Sequence, residues 1–500
     1  MDFHIYNTLT HSKELFIPIK EGKVSIYSCW PTVYSQQHIG NMRAAFIVDL
    51  LRSTLESLWY KTSHVMNITD VWHLTWDNEW DANTGEDRME KWARKDGITA
   101  REVAEKYTNI YLEDLSFLSI DAWLEKGKHD IYMPRATDHI QEQIEMIKQL
   151  EKNWYTYIVD SDGVYMDTSK SKDYGVLLSE KHLAGLEVWS RIDLKGKKNP
   201  TDFALWKFNM TGKKRDMERE SPWGIWFPGW HIECSAMSIK HLGNQFDIHT
   251  WGMEHIPVHH TNEIVQSECS CSDHPWVNYR VHYQWLMMNN KKIAKSDGNV
   301  AFLSDVRDRG YTWEDMRMFY LQAHYRSFQD FTRETLEAGQ KWRKWLQKKI
   351  RDIIGTENPT LSKKLSVVSF MDLRNDLIDA FVANLFDDIL QALCDDLDTV
   401  KTLAIINQAL NNISKDKIAI DTKELFMVLH RVDSHVLKVW LLEEEEMLII
   451  PQNIKDIAQA RREAKLTKDY ATADDLRKEL HTAGRDMLDG KDGFEIVLKD

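Results

Sequence analysis

The chain has 500 residues, of which 43% are hydrophobic and 28% charged, and its formal net charge is −14. This composition is that of an ordinary folded chain of several domains, and it excludes collagen-like, disordered and uniformly basic nucleic-acid-coating classes. Glycine and tryptophan are almost equally frequent, at 21 and 20 residues, although glycine alone makes up about 7% of an average protein. The five cysteines are widely spaced, which favours a reducing compartment, and no apolar run reaches the length of a membrane span. We therefore expect a cytoplasmic protein without membrane contact.

The first elements alternate between strand and helix. Residues 24–29 alternate like a strand, residues 44–58 have apolar side chains at helical spacing, and residues 64–68 form a second short strand. This order is typical of the start of a parallel α/β sheet. We expect polar residues 78–96 to be a surface insertion.

The rest of the chain changes from mixed to helical patterns. The predicted elements are helices over 99–153, a hairpin over 155–167, strands at 225–227 and 246–249, helices at 235–241 and from 261, and helices beyond 312 with breaks at 355–359 and 411–421, ending in one long helix over 454–480. The predicted fold is therefore α/β, a parallel Rossmann-like sheet with an insertion, followed by an all-α C-terminal region.

Four residues have the chemistry of a metal site. Cys29 ends a predicted strand, Cys234 lies in a predicted helix, and His259 and Glu263 are spaced i, i+4, so that both can leave one helix face. Two thiolates, an imidazole and a carboxylate are a plausible zinc set. The alternative is that the cysteines are small buried apolar residues and the histidine an ordinary core or surface residue.

Two further segments could bind phosphate. Lys292 and Lys295 lie in a short basic loop with a glycine, and His38 and Asn41 lie one turn apart at a helix start. Lysines and helix N-termini both attract phosphate groups. The alternative is a solvated basic loop and an ordinary helix start.

Taken together, ten short motifs follow one another in a specific order. They are PTVY at 31–34, HIGN at 38–41, NITD at 67–70, RATDHI at 135–140, DFALWK at 202–207, SPWG at 221–224, PGWHIECSAM at 228–237, HHTNE at 259–263, KIAKS at 292–296 and HYRS at 324–327. In this order the chain resembles the cysteinyl-tRNA synthetases, a family of class I aminoacyl-tRNA synthetases. The resemblance extends from residue 6 to residue 474.

The resemblance implies that Cys29, Cys234, His259 and Glu263 bind one Zn²⁺, with a long Glu263 bond that leaves room for substrate. Zinc binds thiolate much better than hydroxyl, so direct binding of the substrate sulfur would separate cysteine from serine without editing. The resemblance also implies a cysteine pocket. Its residues are Thr69, Trp230 and Glu254, the last standing where the family prefers Asp near the substrate amino group.

The resemblance also implies that the chain binds ATP together with Mg²⁺. The substrate carboxylate would attack the α-phosphorus of ATP, and the cysteinyl group would then be transferred to the terminal ribose of the tRNA. His38 and Asn41 match the HIGH signature, with Asn41 in place of its last His, and residues 292–296 match the KMSKS loop. We expect Lys295 on the β- and γ-phosphates, with Lys292 and His38 in support, and His249 near the ATP.

The resemblance also implies a domain order and a partner. The regions are 1–134, the first half of the catalytic domain; 135–222, a connective insertion; 223–303, the second half with the zinc ligands and lysine loop; 304–410, the stem-contact and helical-bundle region; and 411–500, the helical region that binds the anticodon arm. The expected partner is tRNA(Cys), and the expected state is a monomer. Two basic clusters could meet its phosphates: Lys341, Arg343, Lys344, Lys348, Lys349 and Arg351, and Arg461, Arg462 and Lys465. Each could equally be a solvated helix face.

Several tryptophans stand where the family has glycine. They are Trp30, Trp59, Trp154, Trp226 and Trp251. Glycine serves there for positive φ or for close approach to the nucleotide. We hypothesise that these codons are UGA, which is read as tryptophan in some genetic codes and as glycine in others. Reassigning about twelve tryptophans would give about 33 glycines, near the average share.

Two other functions remain open at the level of sequence. One is a ligase that joins cysteine to an amino sugar with the same front half, but such relatives lack the long helical tail that follows Ser304 here. The other is a degenerate relative that only binds zinc or RNA. The altered residues Asn41 and Glu254 favour this alternative, whereas the four potential zinc ligands oppose it.

Overall fold

A computed structural model gives the fold. It describes residues 2–30, 32–70, 97–124, 131–160, 162–178, 196–208, 218–271, 274–293, 299–355, 370–442, 452–467, 469–482, 485–489 and 494–498. The chain divides into two units, Met1–Leu441 and Leu442–Asp500. No helix of the described residues is long and apolar enough to cross a membrane.

The strands are short, and most belong to the first unit. In chain order they are β1 His4–Asn7, β2 Ser12–Leu15, β3 Lys23–Ser28, β4 Lys61–Met66, β5 Ala122–Trp123, β6 Ile131–Tyr132, β7 Thr156–Val159, β8 Gly163–Met166, β9 Phe203–Lys207, β10 Arg219–Ser221, β11 Gly224–Trp226, β12 Phe246–Gly252, β13 Val277–Tyr283, β14 Leu286–Met288, β15 Lys291–Lys292, β16 Gln329–Phe331, β17 Arg485–Asp489 and β18 Phe494–Leu498.

The helices become dominant in the second half of the chain. They are α1 Ile39–Ser57, α2 Ala100–Phe117, α3 Ile140–Lys152, α4 Trp230–Leu242, α5 Thr261–Ser270, α6 Leu303–Arg307, α7 Trp313–Leu321, α8 Arg333–Ile354, α9 Phe370–Asp376, α10 Ala380–Cys394, α11 Thr399–Asp416, α12 Thr422–Val432, α13 Gln452–Leu466 and α14 Tyr470–Thr482. A π-helical turn, Ile256–His260, leads directly into α5.

The central feature is a six-stranded parallel sheet with the order β13-β12-β3-β4-β6-β5. The chain fills the β4 side of β3 first and later returns to place β12 and β13 on the other side. The strand order therefore reverses between β3 and β12. In open α/β sheets, ligands bind in the crevice outside the carboxyl ends of the strands at such a reversal.

The helix α1 follows β3 and crosses over to β4. It starts with a capping box, in which the His38 side chain accepts hydrogen bonds from backbone N–H groups and Asn41 bonds back to the cap. Most of its residues are buried because it packs against strands of the sheet and against α2 and α7. The predicted helix over 44–58 is thus correct but begins earlier, at Ile39.

A smaller antiparallel sheet, β7-β8-β9, forms most of the described insertion. The predicted hairpin over 155–167 is confirmed by the β7–β8 pairing. The core of this region joins β8, β9 and α3 to α4 and α5, with Trp206, Ile232, Ala236 and Val265 among its buried side chains. Residues 78–96, the predicted surface insertion, lie outside the described residues.

Four local expectations are wrong. The stretch expected to be helical beyond 312 contains the strand β16, which pairs with β14. The predicted helical stretch over 99–153 contains β5 and β6, which complete one edge of the main sheet. The break predicted at 411–421 is narrower, because α11 continues to Asp416. The single helix predicted over 454–480 is two helices, since Asp469 accepts a backbone hydrogen bond from Thr472 and so caps a new start.

The second unit is helical, with one addition to the prediction. Besides α13 and α14 it contains the antiparallel pair β17–β18. Ala458, Leu480 and Met487 form its buried core.

A buried carboxylate ties α1 to two later parts of the first unit. Asp49 Oδ2 lies 3.0 Å from the Arg317 guanidinium, Oδ1 lies 2.9 Å from Arg52, and Lys438 Nζ lies 3.1 Å from both oxygens. Burial acts to raise the pKa of Asp49, but the three cations outweigh it and hold that pKa well below its usual range. Arg317 also donates to the backbone oxygens of Leu118 and Leu437.

We predict that Asp49→Asn lowers the free energy of unfolding by about 3–5 kcal/mol, because it leaves buried cations without their counter-charge. The measurement is denaturant unfolding followed by circular dichroism. Glu105→Gln is the control, since the Arg101–Glu105 pair is exposed and such pairs contribute about 1 kcal/mol or less. Equal losses in the two variants would show that the buried network has no special role.

Candidate active site

Four ligand-type side chains converge at the strand-order reversal. Cys29 directly follows β3, Cys234 lies in α4, His259 in the π-helical turn and Glu263 in α5. All four are buried, and their ligand atoms lie within 4.8 Å of one another. The chain thus brings together in space the metal-type residues that sequence chemistry proposed.

The cluster has the dimensions of a tetrahedral zinc site. Cys29 Sγ lies 3.4 Å from Cys234 Sγ, 3.6 Å from His259 Nε2 and 3.3 Å from Glu263 Oε1, and His259 Nε2 lies 3.0 Å from Glu263 Oε1. Ligand atoms bound at 2.0–2.3 Å to a tetrahedral ion are separated by roughly 3.3–3.8 Å. The three distances from Cys29 lie in this range, and the His259–Glu263 distance is slightly shorter. The sulfur, nitrogen and oxygen donors are also those that zinc takes.

The electrostatics of the cluster favour a bound cation. Burial raises the pKa of the Cys29 thiol well above its usual range, and Cys234 and Glu263 raise it further. Burial likewise raises the pKa of Cys234, to about 11. The Glu263 carboxylate is fully buried in the same cluster. A positive ion would stabilise the thiolates and the carboxylate that repel one another here.

A second layer of residues orients the ligands. His231 Nδ1 lies 2.9 Å from His259 Nδ1, which leaves His259 Nε2 directed at the cluster. His249 is fully buried in β12, with Nε2 2.9 Å from Glu263 Oε2. Sequence reasoning assigned no role to His231; its position next to a ligand-bearing helix start was the available signal. The expected role of His249 at the ATP stays a prediction.

The structure contains a second, overlapping group of potential ligands. Cys29, His249, His260 and Glu263 also place their ligand atoms within 4.8 Å of one another. The two groups share Cys29 and Glu263 and differ in whether Cys234 and His259, or His249 and His260, complete the set. Replacement of Cys234 therefore separates them.

The three residues expected around the cysteine side chain differ in their surroundings. Thr69 is buried, and its hydroxyl accepts from Asn67 and donates to Glu233 Oε2 over 3.3 Å. Trp230 begins α4, with its ring 4.4 Å from that of His259. Glu254 is exposed at the crevice side of β12, where its Oε2 accepts from Trp285 Nε1 at 2.6 Å.

The two phosphate-type segments meet at the start of α1. His38 Nδ1 accepts from the backbone of Gly40 and Asn41, at 3.1 and 3.2 Å. A Cβ added to Gly40 would lie 3.3 Å from Ile293 Cδ1, and Ile39 donates to the backbone oxygen of Ala301. The beginning and the end of the lysine loop therefore both lie against the helix start.

Of the two lysines in that loop, one is described. Lys292 is exposed in β15, with its ammonium 4.6 Å from the ring centre of Trp285. Lys295 lies outside the described residues.

Two indoles fill the crevice between the ends of β3 and β12. Trp30 follows Cys29, is 3% exposed, and stacks on Tyr111 with ring centres 4.4 Å apart. Trp251 is equally buried and meets the Trp30 ring edge-on at 5.0 Å. The Trp30 backbone N–H donates to Asn67 Oδ1, while its indole Nε1 has no hydrogen-bond partner.

Comparison with known proteins first defines the class. The family model described as "tRNA synthetases class I (C) catalytic domain" matches residues 15–341. Among solved structures, methionyl-tRNA synthetase of Mycobacterium tuberculosis is similar with a TM-score of 0.55 over 83% of this chain and 90% of that one, at 12% identity. A putative arginyl-tRNA synthetase of Campylobacter jejuni is similar with a TM-score of 0.51 over 84% and 93%, at 13% identity. The fold is that of a class I aminoacyl-tRNA synthetase.

Similar sequences then define the family. A cysteine–tRNA ligase of Treponema denticola is 39% identical over 97% of this chain and 97% of its own length. Corresponding enzymes of Burkholderia lata and Thermococcus gammatolerans are 37% and 36% identical, each over 99% of this chain and 97% and 98% of their own length. The chain belongs to the cysteine–tRNA ligase family.

We predict that the purified protein binds one zinc ion and that Cys234→Ala lowers its zinc affinity at least about 100-fold, because one of two thiolate ligands is lost. The measurement is metal content after dialysis against a graded chelator, supported by thiolate-to-metal absorption after exchange for Co²⁺. Cys269→Ala, which removes a thiol outside the cluster, is expected to change neither. Unchanged metal affinity in Cys234→Ala would contradict this assignment and favour the set with His249 and His260.

Proposed function

We propose that the chain activates L-cysteine with ATP to cysteinyl-adenylate, releasing pyrophosphate, and transfers the cysteinyl group to the 3′ end of tRNA(Cys). The observation that carries this proposal is the buried cluster of Cys29, Cys234, His259 and Glu263 at the strand-order reversal. A synthetase for cysteine needs a group that distinguishes a thiol from a hydroxyl, and this donor set suits such a group.

Residues on both sides of the crevice would bind the substrate cysteine. Zn²⁺ held by the four ligands would supply a direct bond to the substrate thiolate. Glu263 is the ligand that we propose to be weakly held, because its second oxygen lies within 2.9 Å of His249. Trp230 closes the pocket on the His259 side, and the exposed carboxylate of Glu254 attracts the substrate ammonium group.

Activation of the substrate requires little covalent chemistry from the protein. The substrate carboxylate attacks the α-phosphorus, and the enzyme aligns the two reactants and stabilises the charge that develops. The positive end of α1, with His38 and Asn41 at its cap, faces phosphate by the helix dipole. Lys292 and Lys295, with Mg²⁺, neutralise the phosphate chain, and His249 supports the ATP side of the site from β12.

One face of α8 suits the tRNA backbone. Lys341, Lys344, Lys348 and Arg351 are exposed and follow one another at intervals of three or four residues, which places them on one side of the helix. Arg343 does not share this face: it is buried and pairs with Asp315 at 2.9 Å. In the second predicted cluster Arg461 is buried as well. We therefore assign phosphate contact to the α8 face, defined by those four exposed cations.

The helical region after Ser304 separates this proposal from the amino-sugar ligase. A ligase with a small acceptor has no need of the α8 face or of the helices that follow it, whereas tRNA is large and polyanionic. A degenerate relative that only binds zinc or RNA would show no adenylate chemistry. We further propose a monomer that works in the cytoplasm, where its five free thiols stay reduced.

We predict pyrophosphate exchange into ATP that depends on cysteine and is at least about 100-fold weaker with serine. The protein is purified from the cells of its source and its variants are made in the same cells. Lys295→Ala lowers the exchange rate by about 10²–10³, as expected for loss of one charge-stabilising group. Lys291→Ala, an exposed neighbour outside the motif, is the control and retains the rate. Exchange without cysteine dependence, or none at all, would contradict the proposed function.

We predict that Lys341→Gln combined with Lys348→Gln lowers kcat/KM for tRNA and leaves cysteine-dependent exchange unchanged. Each lost phosphate contact removes about 0.7–0.9 from the slope of log kcat/KM against log salt concentration. The measurement is aminoacylation at several salt concentrations. Lys148→Gln combined with Lys152→Gln, both exposed in α3, is the charge-matched control. If both variants respond alike to salt, the α8 face does not bind tRNA.

A further inference from the structure

Two helices of this chain end on a tryptophan in the left-handed conformation. Trp59 follows α1 with φ 79°, and Trp154 follows α3 with φ 66°. Both ends have the same pair of hydrogen bonds. Trp59 N donates to Glu56 O and Tyr60 N to Leu55 O, at 3.1 and 3.2 Å. This is the Schellman motif, whose left-handed position is usually glycine because any Cβ is strained there.

The α3 end repeats the pattern, and the chain also supplies a reference. Trp154 N donates to Glu151 O and Tyr155 N to Leu150 O. After α6, Gly310 at φ 80° donates to Arg307 O, and Tyr311 donates to Val306 O. The same motif thus occurs three times before a tyrosine. Its left-handed position is glycine once and tryptophan twice.

Packing offers no compensation at these two positions. The Trp59 and Trp154 residues are 56% and 79% exposed, so their indoles bury little surface. Ser119 occupies the equivalent position after α2 at φ 56°, which shows that a small polar side chain is accommodated. A bulky residue at positive φ is a genuine outlier.

Tryptophan is also concentrated among such outliers. It makes up 20 of 500 residues, yet it accounts for three of the eleven non-glycine residues with positive φ in the described part of the chain. The third is Trp440, at φ 50°.

The crevice gives an independent reason to expect glycine where the chain has Trp30 and Trp251. Trp30 and Trp251 lie at the carboxyl ends of adjacent parallel strands, β3 and β12, at the strand-order reversal where a ligand is expected. Their side chains fill that space and touch each other.

We propose that positions 30, 59, 154, 251 and 440 are glycine in the natural protein, because their codons are UGA and the ribosomes of its source read UGA as glycine. Glycine at 59, 154 and 440 removes backbone strain, and this part is independent of any function. Glycine at 30 and 251 opens the crevice above the ligand cluster, and this part rests on the proposed function. Positions 59, 154 and 440 have the positive φ that favours glycine, whereas at positions 30 and 251 a large side chain fills the crevice.

Other tryptophans provide the internal control. Trp206 and Trp276 are fully buried, with Trp206 in the core between the insertion and α4. The structure needs large apolar side chains there. We expect their codons to be UGG. The side chain of Trp226 lies outside the described residues and carries no part of this inference.

The first test is the coding DNA together with peptide mass spectrometry of the protein from its own cells. We expect UGA at 30, 59, 154, 251 and 440, and peptides lighter by one indolylmethyl group at each. UGG codons at these positions, or tryptophan in the peptides, would overturn the proposal. So would UGA decoded as glycine at Trp206 and Trp276, because the structural criterion would then not distinguish the two groups.

The second test compares recombinant full-length chains made with a standard code. Trp59→Gly with Trp154→Gly raises the folding equilibrium constant about tenfold per site and leaves exchange per folded molecule unchanged. Trp30→Gly with Trp251→Gly raises cysteine-dependent exchange at least about 100-fold over the unsubstituted recombinant chain. If this variant and the unsubstituted chain showed equal exchange, the proposal would be overturned for positions 30 and 251. Glycine found in the natural protein together with absent exchange would overturn the proposed function and leave the present inference intact.

Discussion

The structure depends on the convergence of four ligand-type side chains at one buried point. Cys29 comes from the sheet, Cys234 from α4, and His259 and Glu263 from the turn and helix that follow β12. Their closeness, 3.0–3.6 Å between neighbouring donor atoms, and their burial would both be costly without a cation. The reversal of strand order between β3 and β12 makes the convergence possible, and the core shared by α4, α5 and the insertion fixes it.

The helix α1 links this point to the rest of the first unit. Its first turn carries the His38–Asn41 capping box beside both ends of the lysine loop. Its middle carries Asp49, whose buried cations reach α7 and the segment after α12. The helix α1 therefore contacts both the proposed phosphate-binding side of the site and the helical region that we propose binds tRNA.

The sequence predicted the parallel sheet and the helical tail, because strand and helix periodicity are local properties. Donor chemistry together with the family resemblance grouped the four ligand-type residues, which the fold brings together. It did not predict β5 and β6, whose two-residue strands are too short for any periodicity. It assigned His249 to ATP, whereas only the fold reveals that β12 also brings this side chain beside Glu263. It grouped Arg343 with the α8 cations, since spacing along a helix does not reveal a buried partner such as Asp315. Motif and composition distinguish Trp59 and Trp154 in the sequence, but their left-handed φ angles are a property of the folded helix ends.

The central claim is that the substrate sulfur enters the metal site that these ligands form. The most direct measurement is X-ray absorption at the zinc edge, on the natural protein with and without saturating L-cysteine. The claim predicts two sulfur neighbours for the free enzyme, from Cys29 and Cys234, and three when cysteine is bound, with no change on addition of serine. A sulfur count that remains at two with cysteine would contradict it.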